Sequence, residues 1–240
     1  MRKITLRILV DNNPDPHGLC RDAWGLSIYV EFSNFKILFD TGPDPKVLQY
    51  NAEKLGIDLS NIDYVVISHG HGDHTRGLEA LSKIGCRASI YVPKHTSDYV
   101  KNWIKDLNLN LVEIEHTASI APNITIIGEL AGPPYEQALS IKFRNNEAII
   151  LVGCSHPGID KIVEKAIHEL NIKPYLVVGG FHMWTEPESY IEKILDKLVS
   201  LNVEKIIPIH CSGSTIIELL KRKYPEKYVP LYTCSTYNLD

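Results

Sequence analysis

Apolar and polar residues alternate over Ile4 to Val10, which predicts a first strand. The breaker-rich run Asp11 to Gly18 (DNNPDPHG) predicts a long exposed loop. Leu26 to Phe32 and Phe35 to Phe39 form the two arms of a β-hairpin around Ser33-Asn34. The second arm runs into Asp40-Thr41-Gly42-Pro43, and a helix follows from about Pro45 to Leu55. Ile62 to Ile67 (IDYVVI) is short, apolar and β-branched, as a buried strand should be. Arg76 to Ile84 predicts a helix, with Leu78 and Leu81 one turn apart. A strand at Ala88 to Val92, a helix over Lys94 to Leu107, and strands at Leu111 to Ile114 and Ile124 to Ile127 come next. The loop Gly132 to Tyr135 leads to Ala138 to Phe143, and Asn145-Asn146 turns the chain into Ala148 to Val152, a second hairpin.

Beyond that point the pattern alternates between helix and strand. Ile159, Ile162, Val163, Ala166, Ile167 and Leu170 recur at helical spacing. Tyr175 to Val178 is a strand. Thr185-Glu186-Pro187-Glu188 has the spacing of a capping box with a proline in the first turn, and its helix carries Ile191, Ile194, Leu195 and Leu198 on one face. Lys205 to Ile209 predicts a strand and Thr215 to Lys223 a helix. Two halves that each mix strands with helices predict an α/β (α+β) protein, two sheets packed face to face with helices outside, in one domain over residues 1–240.

Composition narrows the classes of function. Hydrophobic residues make up 44% and charged residues 22%, the proportions of an ordinary globular domain. A net charge of −4 supplies no basic field for a nucleic-acid backbone. The start, MRKITLRILVDNN, has too short an apolar run for a signal peptide. No stretch approaches the roughly 20 apolar residues that span a bilayer, so no membrane partner is expected and a cytoplasmic location follows by default. The five cysteines (Cys20, Cys86, Cys154, Cys211 and Cys234) include no Cys-x-x-Cys pair, which predicts neither a disulfide framework nor a zinc ribbon.

Candidate chemistry concentrates at strand ends. Ser68-His69-Gly70-His71-Gly72-Asp73-His74-Thr75 places three imidazoles and a carboxylate within six residues, after a strand and before a helix. Side chains on such a loop can converge on a metal, and imidazole with carboxylate suits zinc, iron or manganese. Three more apolar strands run into small-residue turns that carry a histidine: Gly153-Cys154-Ser155-His156, Gly179-Gly180-Phe181-His182 and Ile209-His210-Cys211. Neighbouring strand ends gather at one edge of a sheet, which favours a shared site over four unrelated histidines. His17, His95, His116 and His168 lack this context and are expected at the surface or in loops.

His69-x-His71-x-Asp73-His74, preceded by Asp40-Thr41-Gly42 and followed by Pro208-x-His210, resembles the metallo-β-lactamase superfamily over the whole chain. Val10-Asp11-Asn12, Phe39-Asp40-Thr41-Gly42 and the three turns above resemble one branch of it. That branch includes a synthase of methanopterin biosynthesis that joins a dihydropterin to a ribofuranosyl-aminobenzene phosphate. The resemblance implies a four-layer αββα sandwich of two mixed β-sheets with two divalent metal ions, zinc first and iron, manganese or magnesium as alternatives. It implies that His69 and His71 bind one ion, that Asp73 and His74 bind the other, that His210 completes the second site, and that Asp40 orients a ligand imidazole. The chain departs from the superfamily pattern in two places. Where relatives carry a histidine before one hairpin strand it has Glu136 and Gln137, and where they carry a bridging aspartate it has Cys154 and His156. His156 is expected to take over as a ligand, and the missing bridging aspartate makes full occupancy of one ion site only the alternative. Cys154 is expected beside the metals, with Glu136 a lesser candidate. His182 has no counterpart in the motif; it is expected either as a general acid or substrate contact, walled by Met183 and Trp184, or as a buried structural histidine.

These residues predict a metal-dependent hydrolase in which Asp73 orients water activated by the metals and His182 protonates the leaving group of an ester, lactone or phosphoester. The branch implies a transferase instead, with the metals acting on a pterin diphosphate and Gly179-Gly180 offering amides to a phosphate. A metal-stabilised binding or sensing module with little turnover is the third reading. The partner expected is a small molecule, phosphorylated or pterin-like, and homo-oligomers stay open.

Overall fold

The hydrophobic pattern of the first half becomes a mixed sheet. In a computed structural model, which describes residues 3–239, its strands are β1 (Ile4–Val10), β2 (Ser27–Phe32), β3 (Phe35–Phe39), β4 (Tyr64–Val66), β5 (Ser89–Pro93) and β6 (Asn110–Ile114). They pair in sequence order, and a closing strand, Thr236–Leu239, adds to the free side of β1. Pairing is antiparallel up to β3 and parallel from β3 to β6, so β3, β4 and β5 finish at one edge. Helices α1 (Pro45–Lys54), α2 (Gly72–Thr75), α3 (Leu78–Lys83) and α4 (Asp98–Asp106) fill the connections. Asp44 caps α1 by accepting from Lys46 N at 2.7 Å, and Pro45 occupies the first turn, where its missing N–H costs nothing. Leu48, Leu78, Leu81 and Ile104 from the helices bury against Leu38, Val65 and Ile90 of the sheet.

A second compact unit covers residues 116–230, while the first unit comprises residues up to 115 together with the chain after residue 230. The second sheet contains β7 (Ala118–Ala121), β8 (Ile124–Leu130), β9 (Glu136–Arg144), β10 (Glu147–Val152), β11 (Lys173–Gly180) and β12 (Lys205–Ile209), again in sequence order. β7 to β10 are antiparallel. β10, β11 and β12 are parallel, joined through helices α5 (Ile159–Leu170) and α6 (Glu188–Ser200), with α7 (Ser214–Lys223) following β12. The apolar stripes foreseen on α5 and α6 form the core of this unit with Ile150, Val152, Val177 and Ile206.

Some local expectations need correction. The polar run is not all loop, because Gly72 to Thr75 close a helical turn. The helix expected from Lys94 begins only at Asp98, since Thr96 N turns back to Pro93 O and Ser97 supplies the cap. The capping box at Thr185 does not form: Pro187 stands at the N-cap and Glu186 N donates to Met183 O. Cys20 and Cys234 are disulfide-bonded within the first unit, a pairing that 214 residues of separation hid from any spacing argument. Among the described residues, no helix is long and apolar enough to cross a membrane.

Candidate functional site

In the first unit the polar run is organised by Asp40, at the end of β3. Its carboxylate is fully buried and accepts from Ser68 N, Ser68 Oγ and His74 Nδ1, each at 2.7 Å. The residue sits at φ 56°, a left-handed conformation that few side chains adopt and that functional sites tolerate. These bonds fix two tautomers. A carboxylate only accepts, so His74 carries its proton on Nδ1 and its lone pair on Nε2. Ser68 Oγ has one hydrogen, which goes to Asp40. Its 2.9 Å contact with His69 Nδ1 is therefore an N–H donated by the imidazole, and His69 Nε2 also bears a lone pair.

Those lone pairs lie among further donors. His69 Nε2 is 3.1 Å from His71 Nδ1, and His74 Nε2 is 3.7 Å from an oxygen of Asp73. Two nitrogens on one tetrahedral zinc, at about 2.0–2.1 Å each, would stand about 3.3 Å apart. The donor set therefore fits a divalent ion in both chemistry and spacing. His69 and His74 are fully buried, whereas His71 is exposed and Asp73 half-buried. Helix α2 is pinned through its backbone: Leu26 N donates to Asp73 O, and Thr41 N and Oγ1 both donate to His74 O. Gly25 makes this approach possible, because a Cβ there would lie 2.4 Å from Asp73 O.

The second unit gathers its candidates at the ends of β10, β11 and β12. Glu136, buried at the start of β9, accepts from Gly153 N at 3.1 Å and from Ser155 N and His156 N at 2.8 Å each. Ser155 Oγ donates to Gly180 O. Ligand atoms of Cys154, His156 and His182 lie within 4.8 Å of one another, and so do those of Cys154, His210 and Cys211. The rings of His156 and His182 are 4.5 Å apart. Ser155, His182 and His210 all have positive φ, between 52° and 62°. Hydrogen bonding to Cys211 raises the His182 pKa against the opposing effect of burial, and the charges of Cys211, Glu136 and Glu186 add to it. Burial pushes the Cys211 thiol up, but hydrogen bonds with Cys154 and His182 and the charge of His210 bring it well below the usual value. Beside them a cavity of about 250 Å³ is lined by His156, His182, Phe181, Met183, Tyr190 and Lys161 among others.

His182 is exposed, which removes the buried structural alternative. Met183 lines the cavity as expected, while Trp184 is 58% exposed. Of the two amides expected near a phosphate, those of Gly179 and Gly180, Gly180 N donates to Gly153 O; the next two amides also have partners, Phe181 N on Ser212 Oγ and His182 N on Cys211 Sγ. His17, His95, His116 and His168 are exposed, away from these clusters in the chain. Sequence reasoning gave no role to Ser68, Cys211 or Ser212. Only their place next to a candidate histidine at a strand end could have signalled one.

A family profile described as a β-lactamase superfamily domain matches residues 36–147. The chain is similar to 7,8-dihydropterin-6-methyl-4-(β-D-ribofuranosyl)-aminobenzene-5′-phosphate synthase of Methanocaldococcus jannaschii, at 27% identity covering 87% of each protein. A solved structure described as a metal-dependent hydrolase of the β-lactamase superfamily is 27% identical, with a TM-score of 0.81 over 98% of both chains. A metallo-β-lactamase fold protein from Bacillus subtilis reaches a TM-score of 0.68 over 98% of this chain and 99% of its own, at 12% identity, a likeness of fold alone. The two mixed sheets with their flanking helices are those of the metallo-β-lactamase fold, as the sequence resemblance implied.

Proposed function

We propose that the chain is a member of the metallo-β-lactamase superfamily, supported by the profile match and by the 27% identical neighbour of the same fold, and that it is a metal-dependent hydrolase of a small ester, lactone or phosphoester. The observation that carries this reading is the bonding of Asp40 and Ser68, which places a proton on Nδ1 of His69 and of His74 and makes Nε2 of each the atom that would face an ion. His69 and His71 would hold one divalent ion and Asp73 and His74 a second; in the other unit His156 and His210 are the candidate ligands. Zinc suits the imidazole-rich set best, with iron, manganese and magnesium as the other candidates. Bound ions would supply Lewis acidity and lower the pKa of water. Asp73 orients the attacking water through its carboxylate, and His182 hands a proton to the leaving group. Residues 1–240 act as a single catalytic domain. Turnover of an ester, lactone or phosphoester panel that chelation abolishes and zinc restores supports hydrolysis. A metal-loaded protein that is silent on all three refutes it.

The second reading is the transferase, favoured by the likeness to the pterin-pathway synthase across 87% of the chain. Here the same residues would hold ions whose Lewis acidity favours departure of diphosphate from a pterin methylene carbon, the bond that breaks as the aryl amine of a ribofuranosyl-aminobenzene phosphate forms its own to that carbon. Product from a dihydropterin diphosphate and a ribofuranosyl-aminobenzene phosphate would make hydrolysis a side reaction. Silence in both assays, with metal retained, would leave the binding module.

A further inference from the structure

We infer that Glu136 is a positioning residue that fixes His156 for metal binding, an inference that rests on the reading of His156 as a ligand. Three amides of one turn, those of Gly153, Ser155 and His156, converge on the buried carboxylate of Glu136. Hydrogen bonds to an ionised acceptor are roughly twice as strong as neutral ones. The turn they hold is not one the chain adopts readily, since Ser155, which carries a Cβ, sits at φ 62°. Two further contacts clamp it: Ser155 Oγ donates to Gly180 O, and a Cβ on Gly132 would come within 3.2 Å of His156 Cβ. The segment just before Glu136 thus packs on the histidine that Glu136 orients through the backbone. Removing the carboxylate leaves buried amides to find other partners, and the turn relaxes, taking the His156 imidazole with it.

Glu136→Gln is the probe, because the amide keeps the shape while its NH2 group faces one of the three N–H donors. Zinc affinity is measured by chelator competition in the full chain, alone and in a His156→Ala background. Partners that orient metal ligands typically contribute 10- to 100-fold in affinity. Glu136→Gln is expected to weaken zinc binding about 10- to 100-fold alone and to add no further loss once His156 is gone. Unchanged affinity in Glu136→Gln, or a loss that adds in full to that of His156→Ala, overturns the inference. If Glu136→Gln does not fold, Glu136→Asp is scored by the same two outcomes. Full zinc affinity in His156→Ala instead overturns the ligand reading itself, so the two failures are distinguishable.

Discussion

Asp40 accepts three hydrogen bonds, and Asp40→Asn exchanges one acceptor oxygen for a donor. An NH2 group facing His74 moves the imidazole proton to Nε2 and removes the lone pair a metal needs. Asp40→Asn is expected to fold and to bind zinc about 10- to 100-fold more weakly in chelator competition; unchanged binding would show that the tautomer is set elsewhere. His182→Gln tests a different atom. If His182 is the proton donor, turnover falls about 10²- to 10⁴-fold while elemental analysis finds the metal content intact. The histidines were legible as a spaced pattern and Asp40 as a partner that orients one of them, but the remaining polar partners had no such roles in the sequence. Ser68, Glu136 and Cys211 acquire meaning only once strand order shows which residues lie beside them.

At the scale of elements, long apolar stripes and hairpins were the legible part, because they bury many side chains and mark their turns with Ser33-Asn34 and Asn145-Asn146. Thr236–Leu239 and Ala118–Ala121 were missed, since short edge strands need no strong pattern of their own. Helix α2 was missed for another reason. Its four residues are chosen for chemistry, and their helical turn is imposed by bonds from Leu26 and Thr41. Gly25→Ala therefore makes a prediction: a methyl group forced against Asp73 O and Pro43 destabilises the chain by about 1–3 kcal/mol in urea unfolding and weakens zinc binding. A neutral result would mean that α2 is free to shift. Leu195 is fully buried on α6, and Leu195→Ala should cost about 2–5 kcal/mol by the same measurement.

For the whole molecule, the fold follows from the order of elements, and candidate donors occur in each of its compact units. His69, His71, Asp73 and His74 come from the first, and His156 and His210 from the second. The long motif announced the first set at once. The second set is dispersed over three strand ends without a compact motif of its own, which is why the sequence left its roles open. Metal content of the protein purified without added metal tests the central claim most directly, with His71→Ala and His156→Ala measured beside it. The account predicts two divalent ions per chain in the unsubstituted protein and a reduced content in both variants. A metal-free unsubstituted protein that also fails to take up zinc, or a His156→Ala variant with full metal content, would contradict it.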